Sequence, residues 1–170
     1  MTKPTAGTRD NANGQDAKTD SGITFMVTPL SRHTAREQGL PLPQQYSMAW
    51  DATHPSIADA RHAVRVLLDE AGHQPDQRPS QDAQLVVSEL VTNAIRHAPG
   101  PGALTLELTP DATLLRITVR DSSSSPPVLP TPDPGRPGGH GLRLVTLLCE
   151  GLHHTTLTTG KQVVAHFRLR

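Results

Sequence analysis

A chain of 170 residues and 18.2 kDa has room for one domain with an ordinary core, and its length argues against two. Sixteen Lys and Arg balance sixteen Asp and Glu, so no overall basic field exists to attract nucleic acid or anionic lipid directly. The few aromatic residues (Phe25, Tyr46, Trp50, Phe167) leave the core to Leu, Val and Ala and offer little stacking surface for single-stranded bases.

Cys149 is the single cysteine and cannot form an intramolecular disulfide, and the opening MTKPTAGTRD has no apolar segment that could act as a secretion signal. No run approaches the roughly 18 apolar residues needed to span a bilayer; RLVTLLC around Val145 is short and carries Arg143. A cytoplasmic protein without membrane residence of its own is expected.

Residues 1–22 are polar and have little to bury, so a disordered tail is expected there. Ile23 to Val27 could form a short strand, and the following stretch with Pro29, Pro41 and Pro43 reads as a tether. Residues 1–45 are therefore set apart, and the compact domain is placed at 46–170. Pro55 suits the first position of a helix capped by Thr53 or His54, with Ile57, Ala60, Val64, Leu67 and Ala71 on one face until Gly72 ends it. A second helix, capped by Ser80 with Asp82 in its first turn, runs to Ala98 before Pro99 and Gly100.

Next comes a half-buried hairpin. Leu104, Leu106 and Leu108 alternate with polar residues, as do Leu115, Ile117 and Val119, around a turn at Pro110 and Asp111. Residues 122–140 hold four serines and six prolines and read as a mobile loop before GGHGLRLVTLLC resumes a helical pattern. A strand over Leu152 to Leu157, a turn at Thr159 and Gly160, and a strand bearing Val163, Ala165, Phe167 and Leu169 close the chain. The predicted order is helix, helix, strand, strand, loop, helix, strand, strand. Amphipathic helices and a sheet with one apolar face satisfy each other as a two-layer α/β (α+β) sandwich with a mixed, mostly antiparallel sheet.

Three stretches carry chemistry. In LVVSELVTNAIRHA, from Leu85 to Ala98, Glu89, Asn93 and His97 recur four apart along one edge of the apolar stripe. An acid that polarises a nucleophile and an amide oxygen that holds a hard cation are what a Mg-nucleotide site needs. Asp121 ends a strand at the mouth of the serine-proline loop, where its carboxylate can accept from the exocyclic amine of adenine. Gly138, Gly139, His140 and Gly141 precede a helix, where backbone N–H groups can approach a phosphate. Each has a plainer reading: a solvated helix flank, a turn-forming Asp, a glycine turn.

Their order along the chain resembles the histidine-kinase-type ATPase fold (Bergerat, or GHKL, fold) from about Met48 to Leu169, and within it the small stand-alone branch of anti-sigma-factor serine/threonine kinases. ELVTNAIRHA is similar to the N box of that family. The resemblance implies Glu89 as general base, Asn93 as the Mg²⁺ ligand, and Arg96 as a phosphate contact, with His97 beside them. Asp121 is similar to the acid of the first glycine box, which binds the adenine amino group; Gly139, His140, Gly141 and Leu142 fall at the second, with 121–140 as the ATP lid. The glycines usual two and four residues after that Asp are Ser123 and Ser125 here, which implies weak or conditional nucleotide affinity. Around Lys161, GKQVVAHF is similar to the terminal hairpin of the branch, with Val164 where relatives often carry Trp.

The resemblance implies ATP and Mg²⁺ as cofactors, a sigma factor or an anti-anti-sigma (STAS-like) protein as partner, and a homodimer. Partner phosphorylation is the leading expectation, an ATP-binding interaction module without catalysis the alternative, and simple ATP hydrolysis the third. His153 and His154 are adjacent in a strand, so they point to opposite sides and make a poor metal site. Cys149 reads as a small buried hydrophobe.

Overall fold

The structure, a computed structural model, describes residues 44–51, 56–125 and 140–169. Its elements are β1 (Gln44–Trp50), α1 (Ile57–Glu70), α2 (Arg78–His97), β2 (Gly102–Leu108), β3 (Leu114–Asp121), α3 (His140–Leu148), β4 (Gly151–Leu157) and β5 (Gly160–Arg168). The strand expected over 23–27, Pro55 with its caps Thr53 and His54, and residues 126–139 lie outside the described residues.

Ser56 caps α1 by accepting a hydrogen bond from the Asp59 N–H at 3.2 Å, which satisfies one of the donors a helix start leaves open. At the other end Gly72 takes φ +90°, while the N–H groups of Gly72 and His73 return to the carbonyls of Asp69 and Leu68. A methyl group at position 72 would meet nothing within 4 Å, so only the backbone conformation opposes it. Gly72→Ala is expected to cost about 1 kcal/mol, read as a lower urea midpoint with an unchanged slope.

Helix α2 starts two residues before the expected cap. Pro79 fits its first turn because a proline needs no N–H partner there, and Gln77 is the N-cap without a side-chain bond. Ser80 therefore sits inside the helix, buried, with an Oγ that no described residue partners. Ala83, Val86, Val87, Leu90, Val91 and Ala94 form the buried stripe of α2.

The sheet has the order β1-β2-β3-β5-β4 and is antiparallel at every pairing, simpler than the mixed sheet expected. Strand β1 was not foreseen: its only sequence signal is Met48 and Trp50, two apart and both buried. It precedes the first helix and begins at Gln44, two residues ahead of the expected boundary. One sheet face carries Leu104, Leu106 and Leu108 from β2, Leu115, Ile117 and Val119 from β3, and Val163, Ala165 and Phe167 from β5. Burying each such side chain contributes about 1.5–3 kcal/mol.

The helices cover that face. Helix α2 lies over β3 and β5 between α1, which reaches β1, and α3, which reaches β4. The opposite face is polar: Arg116 faces Glu107 at 3.4 Å and the Arg120 Nε–H donates to Gln162 at 2.8 Å. No helix among the described residues is long and apolar enough to cross a membrane.

Candidate functional site

Where α2 ends, the chain needs only residues 98–101 to enter β2 at Gly102, and Gly102 pairs directly with Asp121 on β3. The C-terminal end of α2, with Asn93, Arg96 and His97, is thereby brought to the sheet end where Asp121 stands. A side chain at Gly100 would meet the Ser122 Oγ at 2.7 Å, so the connection itself touches the residue after Asp121. Glu89 and Asn93 are half-buried, whereas Arg96 and His97 are exposed.

Glu89 meets the third element. A Cβ at Gly141, in the first turn of α3, would lie 2.7 Å from the Glu89 carboxyl carbon and collide with one of its oxygens. Glycine is required here for closeness, since Gly141 does not have positive φ. The Glu89 carboxylate thus sits at the positive end of the α3 dipole, an environment that suits an anion. Leu142, next in the chain, is buried and helps anchor α3 in the core. Gly138 and Gly139 lie outside the described residues, as does the side chain of His140.

Asp121 differs most from what the sequence implied. Its side chain is 2 % exposed and its Oδ1 accepts from two donors, the Lys161 ammonium at 2.9 Å and the Ser123 N–H at 2.9 Å. The row across the sheet end runs Trp50, Gly102, Asp121, Lys161, Thr156. Side chains in one such row share a face, and Asp121 follows Val119, Ile117 and Leu115 at alternate positions, so the row points toward the helices. Gly102 is glycine because any side chain would strike the Trp50 indole and lie 2.7 Å from the Arg120 carbonyl oxygen. Gly160, at φ +131°, lets β5 approach the Asp121 backbone, with a hypothetical Cβ 2.9 Å from its carbonyl carbon. That approach sets Lys161 beside Asp121. Neither Lys161 nor Trp50 stood out in the sequence as a site residue, because their meeting with Asp121 depends on strand register.

Ser123 and Ser125 stand where family glycines were expected. Among the described residues Ala112 is the one non-glycine with positive φ, so neither serine occupies a conformation that only glycine adopts easily. The Ser123 hydroxyl accepts from the Ser125 N–H at 3.2 Å, a local turn-forming bond. Serine therefore fits this backbone without strain.

Other residues behave structurally. His153 and His166 rings lie 6.1 Å apart, and no three His, Cys, Asp or Glu among the described residues gather into a metal-binding group. Cys149 is partly buried, and burial pushes its thiol up to about 11, which keeps it protonated and unreactive at neutral pH.

An antiparallel five-stranded sheet covered on one face by three helices, with the acid-bearing α2 against the glycine-led α3, is the α/β sandwich of the GHKL ATPases. Residues 51–167 match the histidine kinase-like ATPase domain, and the chain belongs to that family. A crystal structure of the RsbU and RsbW domains of Rv1364c from Mycobacterium tuberculosis is similar at 20% identity and a TM-score of 0.53, covering 75% of this chain and 32% of that one. The chain thus spans about a third of that structure's length, and the likeness is one of fold. No curated protein matches the sequence.

Proposed function

We propose that this domain binds Mg-ATP and transfers the γ-phosphate to a serine or threonine of a protein partner, acting as an anti-sigma-type regulator by partner switching. The observation that carries this reading is the seating of the Glu89 carboxylate against Gly141, which joins the acid of α2 and the start of α3 into one wall. Phosphoryl transfer asks for positioning and charge neutralisation more than covalent help, and one base beside an anion-favouring helix start supplies both.

Within the proposal, Glu89 orients the incoming hydroxyl and takes its proton, and Asn93 offers its amide oxygen to the cation. Arg96 and His97, exposed at the end of α2, face the phosphates from solvent. Ser123 holds Asp121 at the base end, while Gly139, His140, Gly141 and Leu142 form the phosphate end. Mg²⁺ takes one or two protein oxygens and completes its shell with water and phosphate oxygens, so a site with one amide and one nearby carboxylate fits it. When bound, it would neutralise charge building on the transferred phosphoryl group. The partner side comprises a sigma factor, an anti-anti-sigma (STAS-like) protein, or both, with cytoplasmic residence and a homodimer. Residues 46–170 are the working unit, and 1–45 are its tail.

Calorimetric titration with ATP, ADP and GTP, with and without Mg²⁺, tests the reading. Nucleotide at a hundred times its dissociation constant is expected to raise stability by about 2.7 kcal/mol. Asn93→Ala should remove the Mg²⁺ dependence and turnover together; a variant that binds and turns over Mg-ATP like wild type ends the assignment.

A second reading keeps nucleotide binding but drops transfer. Lys161 and Ser123 already occupy one oxygen of Asp121, which favours conditional affinity. Mass spectrometry of candidate partners after incubation with ATP separates the two, because phosphate on a partner excludes a purely binding role.

A further inference from the structure

A protonated lysine carries three N–H donors, and Lys161 is one of the most deeply buried side chains of the domain. Among the described residues its ammonium has a single acceptor, the Asp121 Oδ1. Asp121 is similarly half-used: Oδ1 receives both Lys161 and the Ser123 N–H, and no described residue donates to its second oxygen. Burying an ammonium with idle donors is costly, so a fold that retains one has a use for them or hydrates them. Neither flanking glycine covers the pair with a side chain of its own: Gly102 across β2 leaves that place to the Trp50 indole, and Gly160 ahead of β5 closes on the Asp121 backbone. The pair thus presents an acceptor beside a donor.

We propose that Lys161 selects the base: its ammonium donates to the N1 ring nitrogen of adenine, next to the exocyclic amine accepted by the second oxygen of Asp121. This rests on the nucleotide-binding reading above. The edge of adenine offers a donor at its amine beside an acceptor at N1, which complements the pair. Guanine held in the same orientation offers O6 beside N1–H, so it opposes the pair at both places. A site whose buried polar groups are left unpaired by the wrong ligand rejects that ligand far more strongly than an apolar pocket does. Lys161 is thus a specificity-determining residue, and its effect is separable from any role in holding β5 to β3.

The full chain is titrated calorimetrically with ATP, GTP and 1-deaza-ATP, in which N1 is replaced by C–H. Wild type is expected to bind 1-deaza-ATP about tenfold more weakly than ATP, the worth of one hydrogen bond to a charged donor. Lys161→Met should bind the two alike. Equal binding of ATP and 1-deaza-ATP by wild type overturns the proposal without any variant having to fold. If Lys161→Met does not fold, the double variant Lys161→Met with Asp121→Asn removes both charges. A tenfold preference that survives in either variant also overturns the role of Lys161. Wild type that binds none of the three nucleotides defeats the nucleotide-binding reading as well, whereas wild type that binds ATP and ignores N1 defeats Lys161 alone.

Discussion

Asp121→Ala is expected to destabilise the domain by about 3–5 kcal/mol, because it leaves the buried Lys161 ammonium with no described counter-charge. Most small domains have only about 5–15 kcal/mol in total, so this change alone would bring the protein close to unfolding. The effect is separate from any nucleotide contact and should appear in ligand-free urea denaturation. Replacing both members, Asp121→Leu with Lys161→Met, should restore most of the loss, since apolar residues of similar size often match or exceed a buried ion pair. Coupling between the two sites, read from the double-mutant cycle, is the decisive quantity. A single Asp121→Ala variant within about 1 kcal/mol of wild type would show that water compensates the ammonium.

Under the proposed phosphoryl transfer, Gly141→Ala is expected to leave the fold intact and lower turnover by about a hundredfold. The added methyl meets the far end of the Glu89 side chain, which can swing aside at small energetic cost, so stability should change little. Catalysis is less tolerant, because a misplacement of about 1 Å in a positioned group can cost a factor of about a hundred. Single-turnover measurements with saturating Mg-ATP and a phosphorylatable partner read the step directly, and calorimetry should show nucleotide affinity within a few-fold of wild type. Unchanged turnover would mean that Glu89 works from another position or not at all.

The helices and the inner strands were legible because their signals are local. Leu104, Leu106 and Leu108 alternate, and the α2 stripe from Ala83 to Ala94 repeats at threes and fours, so both periods survive in the folded protein. Helix starts were less legible: Ser80 has the chemistry of a cap, but Pro79 just before it is better accommodated within a first turn, and the helix begins at Arg78. Strand β1 was missed because Gln44, Gln45 and Ser47 dilute its alternation and Pro41 and Pro43 precede it closely.

At the site, Glu89, Asn93 and Asp121 could be picked out from their spacing and from the family resemblance. The partner of Asp121 could not, since Lys161 lies 40 positions away and is delivered only by the register between β3 and β5. Nor could any pattern within one segment reveal that a side chain at residue 141 would displace Glu89, because that carboxylate stands on a different helix.

Trp50 is the only tryptophan in the chain, and its indole lies over Gly102, one strand from Asp121. The protein therefore contains its own optical reporter at the sheet end where a purine would enter. Emission from that single ring carries no contribution from a second tryptophan, so nucleotide entry and global unfolding could be followed on unlabelled protein in one cuvette.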